Sequence, residues 1–424
     1  MKLFFKDCSL VVVILTILFF TFITSGEYQI AILFIVLLSY YIRQRKLVVY
    51  RIQGMKYLLI YMIIGIAGGL IYSNPPYYLI RDLYYTLSAI FAIYLGYILY
   101  KSNHDISIIK TYVVCAVSIS FLQIIRILMN YTALISLDIN KWRASIGDTK
   151  YIIVIAIALL IMKKFYGQEY IVGRKVDSLI LVILFIPFIL SFSRTFFLTL
   201  FISVLVLFLF SPKKNRKSKI VVKRAMYGTF IFLSSLILMY NILPNSLVIN
   251  FINKFMNSFQ EINTKLDWEN SNIITQNWRG YERFSANKLF DDAAVFNKLF
   301  GFGFGKLIPL KYSDLVGVPI SDGGITVLHS GYHTVLIKGG ITGLLCYILF
   351  LLTNIKISLK KIKDNRYDFI HLEENVVILS FCIAMIFMTN VVTGIFIPTS
   401  FTIDMIIFGM VLAKNNHINK INNE

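Results

Sequence analysis

The side chains in this sequence best suited to chemistry are a set of arginines and an imidazole pair: Arg194, Arg279, Arg283, His329 and His333, with Glu282 between two of the arginines. A guanidinium is always charged and presents a planar fork of donors that matches phosphate oxygens. Histidine takes or gives a proton near neutral pH. Arg81 and Arg126 join the set because each stands near the end of an apolar run, where an ionisable side chain inside lipid costs roughly 2.5 to 3.5 kcal/mol. A local explanation competes at both positions: Arg81 can pair with the adjacent Asp82 or snorkel, and Arg126 can simply reach the interface.

Other chemistries fit less well. His329 and His333 are four apart and can share a helix face, but no third ligand stands at a fixed offset, so no metal site is expected. The run Leu299-Phe300-Gly301-Phe302-Gly303-Phe304-Gly305 has neither the GxGxxG nor the GxxxxGK[ST] spacing and follows no βαβ unit, so it reads as a tight, aromatic-flanked turn. Asp291 and Asp292 read as carboxylates on a solvated helix face. Cys8, Cys115, Cys346 and Cys382 fall inside apolar runs without metal-ligand spacing and read as packing residues. No cofactor is implied.

What must position these groups is a membrane. The chain of 424 residues is 57% hydrophobic and 15% charged, with a mean hydropathy of +0.72. Crossing the ~30 Å hydrocarbon core takes roughly 20 apolar residues of helix, and backbone amides in lipid must bond within their own segment. The expected fold is an all-α integral membrane protein of about twelve transmembrane helices with one large, partly helical extracytoplasmic loop. The spans are read at 8 to 24, 28 to 42, 57 to 73, 83 to 100, 111 to 129, 151 to 162, 177 to 193, 195 to 211, 225 to 243, 332 to 353, 375 to 391 and 395 to 413. The first reads as a retained signal anchor, since no cleavage pattern follows it. Residues 1–243 then form a bundle of about nine helices, 244–331 the outer loop, and 332–424 about three helices and a cytoplasmic tail.

The formal net charge of +20 sits mainly in every second loop, from Lys2 and Lys6 through Lys213 to Arg224 and on to Lys414 and Lys420. This positive-inside pattern puts both termini in the cytoplasm and argues for a membrane surface instead of nucleic acid. The 244–331 segment, Arg81, Arg126 and Arg194 all fall on the outer side, where several guanidinium groups at one depth suit a lipid-linked pyrophosphate. Within the loop, Val248, Phe251, Ile252, Phe255, Met256, Phe259 and Ile262 trace an amphipathic helix, either on the membrane surface or packed in a small cap. A second helix is expected from the cap residue Asn277 through Leu289.

Four patterns resemble the O-antigen polymerase and ligase family, Wzy-type bacterial polysaccharide polymerases included. They are Ser193-Arg194 ahead of an apolar span, the Arg279-led helix, the Asn297 to Gly303 turn, and His329-Ser330 leading to Gly339-Gly340-Ile341-Thr342-Gly343-Leu344. Thr195, Lys298, Ser330 and Arg283 depart from the family's usual residues. The resemblance implies a metal-independent glycosyltransferase on the outer face of the bacterial cytoplasmic membrane. Its donor and acceptor would be oligosaccharides on polyprenyl pyrophosphate, with membrane lipid and a chain-length regulator as candidate partners. Arg194 and Arg279, helped by Arg81 or Arg126, would stabilise the leaving pyrophosphate, and His329 would orient or deprotonate the acceptor hydroxyl, with Glu282 as the alternative base. Arg283 and His333 would bind substrate. Ligation to another acceptor and transport of the same lipid-linked sugar are the rival functions. No inverted repeat of the transporter kind is visible.

Overall fold

Long runs without a polar face leave the backbone to satisfy its own hydrogen bonds, and helices do so within one segment. The computed structural model describes residues 26–44, 50–132, 141, 150–166, 171, 173–191, 193–210, 266–310, 324–364 and 369–421. The helices are α1 (Gly26–Gln44), α2 (Met55–Ile71), α3 (Pro76–Ser102), α4 (Ile108–Met129), α5 (Tyr151–Tyr166), α6 (Arg174–Leu190) and α7 (Arg194–Phe210). After them come α8 (Ser271–Gln276), α9 (Trp278–Asp291), α10 (Val295–Phe300), α11 (Gly331–Asp364), α12 (Phe369–Met388) and α13 (Pro398–Ile421), the last preceded by a 3₁₀ turn at Gly394–Phe396.

Each expected span is therefore a helix, apart from 8 to 24 and 225 to 243, which lie outside the described residues, as does the amphipathic stretch from Val248 to Ile262. Among the described residues α3, α4 and α11 are long and apolar enough to cross a membrane, and α1, α2, α5 and α7 carry shorter apolar stretches. The protein is an all-α membrane protein. One element was not legible: two-residue strands β1 (Ile308–Pro309) and β2 (Gly324–Ile325) pair antiparallel near α9. Strands so short show no alternation to read.

The bundle has two chemically distinct ends. α3 packs along α13 so closely that a Cβ at Gly96 or Gly409 would meet the Ile406 or Ile93 carbonyl at about 2 Å. Small residues at such a crossing bring helix backbones together where lipid gives no hydrophobic drive. At one end Lys163 pairs with Glu373 at 2.9 Å and Lys414 with Glu374 at 2.7 Å. At the other, Lys150 donates to the Thr399 carbonyl, and Tyr151 stacks on Phe401 at 4.6 Å and meets Phe196 edge-on at 5.2 Å. That second end carries the polar cap, where Trp268, Ile274, Trp278, Tyr281 and Leu310 form a small core of their own.

The cap is joined to the bundle by the glycine turn. Gly301, Gly303 and Gly305 have φ of 77°, 80° and 84°, and Gly340, inside α11, has φ 64° and ψ −164°. The break at Gly340 interrupts the helical ladder, and the turn takes up its carbonyls: Phe302 N–H donates to Ile337 O at 2.8 Å and Gly303 N–H to Lys338 O at 3.1 Å. On the other side Phe304 N–H donates to Gly65 O at 2.7 Å. A Cβ on Gly303 would lie 1.9 Å from the Gly69 nitrogen, so only hydrogen fits. The expected aromatic-flanked turn is thus a wedge between α2 and α11.

Gly303→Ala combines a clash with backbone and a left-handed φ, and is expected to destabilise by about 2 to 4 kcal/mol. Gly173→Ala, with nothing within 4 Å of its Cβ, should stay within about 0.5 kcal/mol of the parent. Thermal challenge followed by size-exclusion detection separates the two, and equal behaviour would contradict the wedge.

Candidate functional site

The cap helix α9 carries Arg279, Glu282 and Arg283 at i, i+3 and i+4, hence on one face. Its Trp278 and Tyr281 pack into the aromatic core with Trp268 and Leu310. Asn277 precedes the helix as expected but does not cap it with its side chain; its amide donates to Ile273 O at 3.2 Å.

Opposite that face runs the segment Thr326 to Ser330, which follows β2. Its backbone is held on several sides: Thr393 Oγ1 donates to Leu328 O at 2.8 Å, Leu328 N–H donates to Thr334 Oγ1 at 3.1 Å, and Gly331 N–H donates to Thr389 O at 2.8 Å. His329 is thereby delivered to Glu282. Its backbone N–H donates to Glu282 Oε2 at 2.9 Å, and its Nδ1 lies 2.9 Å from Oε1. An ionised carboxylate only accepts, so the hydrogen sits on Nδ1, and in the neutral ring the Nε2 lone pair is left over. Glu282 has a side chain only 3% exposed, whereas that of His329 is 51% exposed. A buried carboxylate thus orients a half-exposed imidazole. Burial of the charge is tolerable because both oxygens accept hydrogen bonds and two arginines share its helix face.

Of the residues expected at the site, Arg279 lies half-buried one turn before Glu282. Arg283 is buried and donates to the Asn390 carbonyl at 2.6 Å, which ties α9 to the end of α12. His333 does not share a helix with His329, which precedes α11; its Nδ1 meets Ser330 Oγ at 2.7 Å. Arg81 reaches the same segment from α3, donating to Thr326 Oγ1 with its guanidinium over the Tyr78 ring. Arg194 is the first residue of α7, whose neighbours are α5 and α12, and Phe196 in the same turn places it at the cap end of the bundle. Arg126 is not brought to this group: it sits in the last turn of α4, which packs mainly on α5 and α6. Asp291 and Asp292 are exposed at the far end of α9.

The pairing of Arg81 with Asp82 weighed from sequence does not form. Asp82 instead meets Lys338 at 2.6 Å, both groups buried, and also accepts from Gly305 N–H at 2.7 Å. Lys338 donates further to the Lys306 carbonyl at 2.6 Å. Sequence reasoning overlooked Lys338, although a lysine within an apolar span beside Gly339-Gly340 was the signal that could have found it.

A helical membrane protein with a polar cap, a carboxylate-held imidazole and arginines around it defines the class. Residues 179–348 match the family model described as O-antigen ligase. This segment, which runs from within α6 through α7 and the cap to the first half of α11, is similar to the O-antigen polymerase and ligase family. No curated protein and no solved structure matches the chain.

Removing one member of a buried ion pair strands the other, so Lys338→Met is expected to cost about 3 to 5 kcal/mol, and the double change with Asp82→Asn to recover at least half of it. A double-mutant cycle on thermal stability in detergent measures the coupling. Additive losses would mean that the pair does not hold the turn.

Proposed function

We propose that this protein is a membrane glycosyltransferase that joins oligosaccharide repeat units carried on polyprenyl pyrophosphate, acting on the outer face of the cytoplasmic membrane. The observation that carries the reading is the Glu282–His329 pair beside Arg279 and Arg283. His329 Nε2 takes the proton of the acceptor hydroxyl. The freed oxygen bonds to the donor's anomeric carbon as the bond to the pyrophosphate oxygen breaks, and the pyrophosphate leaves with the electron pair. Negative charge then grows on the phosphate oxygens, where Arg279 and Arg194 stabilise it electrostatically, with Arg81 near the same segment. Glu282 acts by holding the imidazole and its tautomer; with both oxygens engaged by His329 it is a positioning group in this scheme, not the base.

The outer placement rests on the loop charge pattern, and the 244–331 segment is the worksite over bundles 1–243 and 332–424. The family described as O-antigen ligase fits transfer of a lipid-linked glycan. Polymerisation and ligation share the donor and differ in acceptor, so purified protein given only the lipid-linked repeat unit distinguishes them: a ladder of longer products means polymerase.

His329→Ala and Arg279→Ala are each expected to slow transfer by about 100-fold or more while the protein remains in the membrane. Parental ladders from either variant would remove that residue from the mechanism. Asp291→Asn with Asp292→Asn should leave activity within about threefold, as exposed surface changes do, and an inactive double variant would contradict this assignment of roles.

A further inference from the structure

The end of the bundle away from His329 contains a cavity of about 800 Å³ between the start of α2 and the late turns of α3, α11 and α13. Its polar wall consists of Tyr50, Arg51, Gln53, Lys56, Tyr97 and Asn416. Two cations line it and, among the described residues, no carboxylate does. Arg51 makes no ion pair among the described residues, in contrast to Lys163 and Lys414 at the same end, which are matched to Glu373 and Glu374. The wall is ordered by its own contacts: Tyr50 and Tyr97 rings lie 5.0 Å apart, Tyr94 OH donates to Tyr50 O at 2.9 Å, and the Asn416 amide donates to Tyr97 OH at 3.3 Å. A cavity lined by two cations, by no carboxylate among the described residues, and by amide and phenol donors selects an anion with several acceptor oxygens.

The surroundings say what kind of anion. Along α2, Ile60 and Ile63 follow Lys56 at i+4 and i+7, and both are exposed. Along α11, Leu349 and Leu345 stand one and two turns before the cavity residue Thr353, and both are exposed. The two helices pack on each other, so two apolar stripes lead from the cavity toward the middle of the bundle.

We propose that this cavity holds the phosphate of an anionic membrane lipid, with the acyl chains lying along the exposed stripes of α2 and α11. Such a site is separate from the glycan-transfer site, since Arg51 and Lys56 occupy the opposite end of the bundle from His329.

The test is lipid binding to the full-length protein by native mass spectrometry, with phosphatidylglycerol and phosphatidylcholine as probes and inorganic phosphate as competitor. Arg51→Gln with Lys56→Gln is expected to weaken phosphatidylglycerol binding roughly 30-fold, from two charges each acting on an anionic surface. Lys360→Gln with Lys363→Gln, exposed at the same end but outside the cavity, should change it less than about twofold if position, not overall charge, matters. Phosphatidylcholine should bind more weakly than phosphatidylglycerol, and millimolar phosphate should not displace the lipid. Equal losses in the two double variants, no loss in the first, or indifference to the lipid headgroup would overturn the proposal. Displacement by free phosphate would overturn the lipid as its source. All the substituted side chains are exposed, so elution volume and thermal stability should match the parent.

Discussion

A helix broken inside an apolar bundle frees carbonyl groups that have no water to turn to, and the architecture depends on how α11 resolves this at Gly340. Its freed Ile337 and Lys338 carbonyls are taken up by the amides of Phe302 and Gly303. An unsatisfied backbone group in that setting costs several kcal/mol, so the turn is bound to the break as firmly as a strand to its sheet. The buried Asp82–Lys338 pair adds α3 to the same joint through Gly305 and Lys306. Three bundle helices, α2, α3 and α11, therefore grip one short stretch of the cap. Everything that follows in the cap inherits its position from there.

The same end of the bundle fixes the loop-borne residue proposed as the base. His329 precedes α11 by two residues, and its neighbours Leu328 and Gly331 are bonded to Thr393 and Thr389 at the end of α12. Glu282 arrives from α9, whose Arg283 is fastened to the Asn390 carbonyl of the same region. The carboxylate and imidazole thus meet as two parts docked on one platform, not as neighbours in a flexible segment. Preorganisation of this kind is what electrostatic stabilisation of a leaving anion requires, because donors that must reorient lose much of their effect.

The bundle was legible because membrane helices announce themselves: apolar length located each described span, although α3 begins at Pro76, ahead of the expected 83, and α11 runs on to Asp364, past the expected 353. Arg279, Glu282, Arg283 and His329 were legible as chemically apt residues, but their geometry was not. Glu282 and His329 are 47 residues apart, and no periodicity links a cap helix to the segment before a span. Asp82 and Lys338 show the same limit, since each could be recognised as a costly charge while the partner could not be named. The glycine turn lay between these cases: alternating glycines announced a tight turn, but only packing against Gly65, Gly68 and Gly69 showed what needed the space. Arg126 was grouped with the site by depth alone, and depth does not fix direction around a bundle.

The central claim is that Glu282 holds His329 in the tautomer that can accept a proton. The most direct measurement is the single-turnover transfer rate of purified Glu282→Gln in lipid nanodiscs, with donor affinity determined in parallel. A glutamine amide can donate to Nδ1, which moves the ring hydrogen to Nε2 and removes the base. The account predicts a rate lower by about 100- to 10,000-fold with donor affinity unchanged. A rate within twofold of the parent, with the imidazole still in place, would contradict it.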